Sequence, residues 1–193
     1  DQTVEEGEGF TVFDLDDHLT EVDGDDILWS FSGNDVLDVF IDTDNMVIVT
    51  IPNENWNGSE SITFTATDDT LESLFSSDAA VFTVLEENDA PVADAQTDTT
   101  DEDIDISILL SGTDVDDDAL IYAVVDSTSN GTLSGTAPLL LYSPNAEYNG
   151  SDSFTFSVSD GTLLDTATVS ITITAVNDAP LVLGIDDQEV SEG

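Results

Sequence analysis

Three separate stretches of this chain occur twice. Trp56-Asn57-Gly58-Ser59-Glu60-Ser61-Ile62-Thr63-Phe64-Thr65-Ala66-Thr67-Asp68 returns as Tyr148-Asn149-Gly150-Ser151-Asp152-Ser153-Phe154-Thr155-Phe156-Ser157-Val158-Ser159-Asp160, 92 residues later. Glu21-Val22-Asp23-Gly24-Asp25 returns as Asp114-Val115-Asp116-Asp117-Asp118 at an offset of 93, and Asn88-Asp89-Ala90-Pro91 as Asn177-Asp178-Ala179-Pro180 at an offset of 89. A fixed period of this size means one supersecondary unit built repeatedly. The expected division is residues 1–91, residues 92–180, and residues 181–193 as the start of a third repeat or a donor strand. Asp187-Gln188-Glu189-Val190-Ser191-Glu192-Gly193 matches Asp1-Gln2-Thr3-Val4-Glu5-Glu6-Gly7 at five of seven positions. The sequence reads as a window cut from a longer array.

Within each unit the apolar residues alternate. Ile62, Phe64 and Ala66 stand between Ser and Thr, as do Phe154, Phe156 and Val158, and Ala167, Val169, Ile171 and Ile173. Period 2 puts one face of a strand inward and the other in water, as half-buried antiparallel strands require. Further strands are expected at 10–15, 27–32, 36–41, 46–51 and 80–85, and in the second unit at 104–110, 119–125, 131–134 and 139–143. Helical spacing is sustained nowhere. Short strands divided by Gly, Asn, Asp and Pro predict an all-β chain of two tandem β-sandwiches, with a stiff, extended proline junction holding them end to end.

Charge limits what such a chain can do. The 193 residues include 44 Asp and Glu, one His, no Lys, no Arg and no Cys, for a formal net charge of −44. A chain of ordinary composition would carry roughly 24 basic residues at this length. With no cation to neutralise phosphate, nucleic acid and an anionic bilayer are excluded as direct partners. Schiff-base, thiol and disulfide chemistry fall with Lys and Cys. Ion pairs within the protein are confined to His18 and a terminal amine. The 39% hydrophobic content favours a packed core over disorder, provided positive charge arrives from outside the polypeptide. No apolar run reaches the ~18 residues of a membrane span, and Asp1-Gln2-Thr3 lacks the basic start of a signal peptide, so a mature segment or fragment is expected.

Calcium is the leading candidate for the missing charge. It takes about six to eight oxygens from carboxylates, carbonyls, Asn side chains and water. Asp114-x-Asp116-x-Asp118 follows Gly112-Thr113, and alternate residues of an extended loop project to one side, where carboxylates can converge on an ion. A solvated acidic loop is the plain alternative. Recurrence of the pattern at Glu21, Asp23 and Asp25 favours the ligand reading.

With its acidic first strand, D-x-D loop, aromatic-Asn-Gly-Ser turn, Phe-rich strand ending in Asp and N-D-A-P junction, the chain resembles the bacterial cadherin-like tandem repeats of very large surface proteins and adhesins. The resemblance covers nearly all of residues 92–180 and, less completely, 1–91. It implies cadherin/immunoglobulin-like sandwiches with calcium where successive domains meet, held by the base of one domain, the linker and the top of the next. Carried onto this sequence, the base ligands are Glu6, with Glu5 as its alternative, and Glu60. Linker ligands are Asn88 and Asp89, with Glu87 as a further candidate, and the top of the second domain supplies Asp114, Asp116 and Asp160; Asp118 is a candidate from the acidic loop pattern itself. Equivalent half-sites are implied at Glu21, Asp23, Asp25 and Asp68, facing an upstream domain, and at Glu102, Asp152, Asn177 and Asp178, facing the unit that begins at Leu181. The family's L-D-R-E segment has no literal counterpart; Asn57-Gly58-Ser59-Glu60 occupies its place.

Other features have simpler readings. Trp56 and Tyr148 open equivalent turns and could stack on sugars, but equal placement in both units favours packing at a sandwich corner, and Trp29 and Tyr122 are expected in the core. His18 has no accompanying nucleophile or second histidine and reads as a solvated loop residue. The sequons at Asn57, Asn130 and Asn149 are also Asn-Gly turns, which explains them without glycan. Paired carboxylates for glycoside hydrolysis need a cleft that nothing here marks, so no enzyme is expected. The expected function is a calcium-rigidified extracellular stalk or filament segment of a repetitive surface adhesin, whose partners are neighbouring repeats of the same protein or polymer. The runner-up is a calcium-dependent module that binds polysaccharide or like domains.

Overall fold

The computed structural model describes residues 1–21, 24, 26–69 and 74–179. Two compact units divide between Asn88 and Asp89, inside the repeated Asn-Asp-Ala-Pro segment. Residues 181–193, read from sequence as a third repeat or donor strand, lie outside the described residues.

Unit 1 holds β1 (Gln2–Glu5), β2 (Phe13–Asp14), β3 (Ile27–Ser32), β4 (Asp38–Ile41), β5 (Met46–Thr50), β6 (Gly58–Asp68) and β7 (Phe75–Leu85). They form a four-stranded sheet in the order β1-β7-β6-β3 and a three-stranded sheet β2-β5-β4. Unit 2 holds β8 (Val92–Ala93), β9 (Gln96–Asp101), β10 (Ile106–Leu109), β11 (Gly112–Thr113), β12 (Ile121–Asp126), β13 (Gly131–Thr136), β14 (Leu139–Pro144), β15 (Gly150–Ser159) and β16 (Leu164–Thr174). Its main sheets run β9-β16-β15-β12 and β10-β14-β13, with β8 and β11 as a separate pair. Both units are all-β sandwiches, as the alternation predicts, of the cadherin/immunoglobulin-like kind that the resemblance implies. One 3-10 turn, Asp16–His18, interrupts the strands.

Register explains the alternation. Ile62, Phe64 and Ala66 of β6 are buried, as are Phe154, Phe156 and Val158 of β15 and Val169, Ile171 and Ile173 of β16, while the intervening Ser and Thr face outward or lie half-buried. Unit 1 closes over Leu15, Leu37, Val47, Val49 and Phe82, and unit 2 over Ile108, Leu110, Leu140 and Tyr142. Each such side chain contributes about 1.5–3 kcal/mol on burial. β1 and β9 pair in parallel with β7 and β16, the last strands of their own units; all other pairings are antiparallel.

Sequence reading placed β3 without error and came within a few residues on most other strands. β7 begins five residues before the expected 80–85, because Ser76, Ser77 and Asp78 carry no apolar signal yet extend the ladder opposite β6. The two-residue strands β8 and β11 are too short to show a period and were not expected.

Candidate functional site

The first acidic position to consider follows the first strand of each unit. Glu6 N–H donates to Leu85 O at 3.0 Å and carries on the β1 ladder. Its side chain is 9% exposed, whereas that of Glu5, the alternative to it, points to solvent. Glu87 N–H donates to Glu6 Oε2 at 3.2 Å, and Glu6 Oε1 is buried with no hydrogen-bond partner.

Glu102 is the counterpart in unit 2. Its N–H donates to Thr174 O at 2.9 Å, and it is 6% exposed. Oε1 accepts Val176 N–H at 2.6 Å, matching the Glu87 contact of Glu6, and Oε2 accepts Asn149 Nδ2 at 3.2 Å. The oxygen that Asn149 satisfies in unit 2 is thus the one left without a donor in unit 1.

Two residues beside Glu102 escaped sequence reading. Glu147 N–H donates to Asp103 Oδ1 at 3.1 Å, and both residues adopt positive φ, 57° and 62°. The negative charges of Asp178 and then Asp103 raise the Glu147 carboxyl above its ordinary value, with Glu102 adding to the effect. Four carboxylates therefore gather at the exit of unit 2. Unit 1 has Gly7 and Asn55 where unit 2 has Asp103 and Glu147. Comparing the repeats position by position for acids present in one copy only would have found both. Asn177, also expected here, donates from Nδ2 to Asp178 O at 3.4 Å.

The opposite end of unit 2 is built by the D-x-D loop. Asp114 Oδ1 accepts Asp116 N–H at 2.9 Å, and Asp114 Oδ2 is buried with no partner. Asp116 Oδ2 accepts Asp89 N–H at 2.8 Å, which ties the start of unit 2 to this loop. Asp117 takes φ 61°, and Asp118 beyond it is exposed. Asp160 Oδ1 accepts Thr162 and Leu163 N–H at 2.5 and 2.7 Å and braces the turn after β15.

In unit 1, Asp68 occupies the place of Asp160, and its Oδ1 is buried without a partner. Glu21 is exposed. Asp23 and Asp25 lie outside the described residues. Glu87 is exposed; Asn88 and Asp89 bracket the division between units.

Glu60 and Asp152 have a task different from the ligand role expected of them. Glu60 Oε1 accepts Asp35 and Val36 N–H at 3.1 and 2.5 Å, and Oε2 accepts Leu37 N–H at 3.0 Å. Asp152 Oδ1 accepts Ser129 and Ser153 N–H at 3.0 and 2.9 Å; Oδ2 accepts Asn130 N–H at 2.9 Å and the Tyr142 hydroxyl at 2.8 Å. In each unit one acid pins the loop between the two sheets, and its oxygens are spent on backbone donors. Burial by itself would raise the Asp152 carboxyl, but these N–H groups and the Tyr142 hydroxyl together lower it. Burial, then the Asp152 hydrogen bond, drives the Tyr142 hydroxyl strongly upward.

Three of the expected ligands, Glu6, Asp68 and Asp114, therefore keep a buried carboxylate oxygen with no donor. Such an oxygen costs free energy unless a donor or cation meets it. The sequence has no Lys or Arg to do so. A hard cation that also takes carbonyl and water oxygens fits this donor set. Among the described residues no three His, Asp or Glu side chains close into a ready-made metal cage.

The Trp residues and the two tyrosines singled out in the sequence pack inward, while Phe40 and Phe75 are exposed. Trp29 and Trp56 lie against the core of unit 1, and Tyr122 and Tyr148 against that of unit 2. Gly58 and Gly150, at φ 143° and 137°, lie under Trp56 and Tyr148 so closely that a Cβ would come within 3.0 Å of the rings or hydroxyl. His18 is exposed at the end of its 3-10 turn, edge-on to Phe13 at 6.3 Å.

Residues 88–172 match the family model described as bacterial Ig domain. No curated protein sequence matches the chain. Among solved structures, the human mucin-like protocadherin EC1-2 is similar with a TM-score of 0.48 and 17% identity over 90% of this chain and 95% of that one. The protocadherin gammaB4 extracellular domain gives 0.47 and 18%, covering 76% of this chain and 27% of that one. An endo-fucoidan hydrolase from glycoside hydrolase family 107 gives 0.40 and 24%, covering 80% of this chain. The chain spans about a quarter of that hydrolase's length, 24%.

Proposed function

With residues 88–172 matching a bacterial Ig domain and both units folded as Ig/cadherin-like sandwiches, we propose that this chain is a structural segment of an extracellular repeat array, stiffened by calcium. The coarse part of that reading, a structural or adhesion module rather than an enzyme, is what domains of this fold typically provide. No helix among the described residues is long and apolar enough to cross a membrane.

The observation that carries the calcium reading is the set of buried, donorless oxygens on Glu6, Asp68 and Asp114 in a chain with no Lys or Arg. Glu102, Asp103, Glu147 and Asp178 form a further carboxylate group whose mutual repulsion a divalent ion relieves. Glu87, Asn88, Asp89, Asp116, Asp118 and Asp160 remain candidate contributors of oxygen; Glu60 and Asp152 leave the proposed ligand set. Bound ions turn repulsion between neighbouring carboxylates into attraction and stabilise the state that binds them. The inward packing of Trp29, Trp56, Tyr122 and Tyr148 favours a spacer over a sugar-binding surface.

Calorimetric titration of metal-stripped protein with calcium, together with melting curves in calcium and in EDTA, tests this. Saturable heat and a higher melting temperature in calcium are expected, both reduced by Glu6→Gln with Asp114→Asn. Melting that is indifferent to EDTA refutes the reading.

A further inference from the structure

Acids are spread over most of the chain, but none occurs from Ser127 to Ala146, the longest run without Asp or Glu in a sequence that has 44 of them. The structure folds this run into the β13–β14 hairpin. Among the described residues β13 pairs with β14 alone, so it is an edge of the sheet β10-β14-β13, and alternate N–H and C=O groups along it meet no strand. Charge, proline, a bulge or short length ordinarily blunts such an edge. The other edges of the two main sheets in unit 2 have a guard of this kind. β9 carries Asp98 and Asp101, a bulge breaks β12 between Val124 and Asp126, and β10 has only four residues. β13 has none: its six residues are Gly-Thr-Leu-Ser-Gly-Thr, in unbroken register with β14. Its counterpart in unit 1, β4, has four residues, starts at Asp38 and turns through Asp42 and Asp44.

The strands beside this edge expose apolar side chains. Leu139 and Leu141 of β14 are exposed, and so are Ile121, Val124 and Val125 of β12, which only Ser127 to Asn130 separate from β13. Charge decides what fits here. A cationic partner is drawn to the acidic surfaces of the chain, not to this one. A second copy, at net charge −44, is repelled wherever Asp and Glu line the surface, but at this hairpin two copies meet without opposing acids. A strand paired antiparallel with itself is self-complementary, as a two-fold interface requires.

We propose that β13 is a docking edge at which it pairs antiparallel with β13 of a second copy of this chain, so that two three-stranded sheets become one of six strands. Main-chain hydrogen bonds supply the affinity, as in other strand additions. Thr132, Ser134 and Thr136 face outward. Keeping the outer faces of both sheets on one side therefore puts the two-fold axis at Leu133 or at Ser134. A six-residue edge covers less than the roughly 800 Å² per partner of a standard stable complex, so the pairing is reversible and grows with concentration. It uses none of the proposed calcium ligands.

Cysteine trapping tests it in the full chain, which has no Cys of its own. With the axis at Ser134, the Ser134→Cys chain should form disulfide dimers under mild oxidation; with the axis at Leu133, a mixture of Ser134→Cys and Thr132→Cys chains should do so. Either yield should clearly exceed that of Thr166→Cys, an equally exposed position on the outer face of β16. Thr136→Asp, added at the end of the same edge, should remove the excess. Mass by light scattering should rise with concentration for the unmodified chain, more steeply in high salt, which screens the acids, and should stay monomeric for Thr132→Asp/Thr136→Asp. Trapping no better than Thr166→Cys in both registers, a mass independent of concentration, or a rise that Thr132→Asp/Thr136→Asp leaves intact overturns the proposal. Trapping in high salt with EDTA separates its failure from failure of the calcium reading, since the pairing should survive the chelator.

Discussion

Asp152→Ala isolates the loop-pinning role of one carboxylate. Asp152 accepts three backbone N–H groups and the hydroxyl of Tyr142, whose side chain is 0% exposed. Hydrogen bonds to charged groups contribute about 1.5–3 kcal/mol each, and a buried hydroxyl left without an acceptor costs about 1–3 kcal/mol. The N–H groups of the loop recover part of this from water, and bonds sharing one acceptor are not additive. We expect a loss of about 3–5 kcal/mol, a large share of the roughly 5–15 kcal/mol that holds a domain of this size. The aromatic residues make the assay selective: all three Tyr lie in unit 2 and both Trp in unit 1. In urea, the tyrosine near-ultraviolet signal should move to lower denaturant while the tryptophan transition stays in place. Glu60→Ala should do the reverse. Adding Tyr142→Phe to Asp152→Ala should recover about 1–2 kcal/mol by removing the orphaned hydroxyl. Acid supplies a second readout. The folded Asp152 carboxyl is lowered, so its stabilisation is fully present above the ordinary Asp value of about 3.9 and is lost as pH falls through the folded value. Asp152→Asn should flatten that decline. A tyrosine transition displaced by less than ~1 kcal/mol would refute the role, since even one charged hydrogen bond exceeds it.

Gly131→Ala should destabilise unit 2 by about 1–3 kcal/mol in the same urea assay, because overpacking has that cost and the new Cβ would lie 2.4 Å from the Tyr142 ring. Phe82→Ala should remove about 3–5 kcal/mol from the tryptophan transition, since the ring is 1% exposed and packs edge-on to Phe10 and stacked with Phe13. Glu147→Gln should raise the melting temperature in EDTA, by relieving repulsion from Asp178 and Asp103, and should weaken the response to calcium; an unchanged melting temperature in EDTA would show that the repulsion is fully screened.

The sandwich was legible because its strands are long enough to display a period. β6, β15 and β16 each bury every second residue, so pattern and burial carry the same information. The acids were harder to sort. Glu60 and Asp152 continue the inward-facing alternation of β6 and β15, where the letters alone do not distinguish an oxygen offered to an ion from one committed to a loop. Glu6 and Glu102 were found at different offsets from the rest of the repeat because the acidic first strand marks them. Asp103 and Glu147 were missed because the turns that bring them together depend on positive φ at two non-glycine residues, for which neighbouring letters give no cue. β8 was missed for its length of two residues.

Parallel pairing of the first strand with the last has a mechanical consequence. In unit 1 the ladder from Gln2–Phe82 to Glu5–Leu85 joins the entering strand to the departing one, and in unit 2 six pairs from Gln96–Val169 to Asp101–Thr174 do the same. Tension on the two ends of such a unit slides these strands past each other in shear, loading every rung at once instead of unzipping them singly. A unit loaded in this way is gripped at the point where its chain begins and ends.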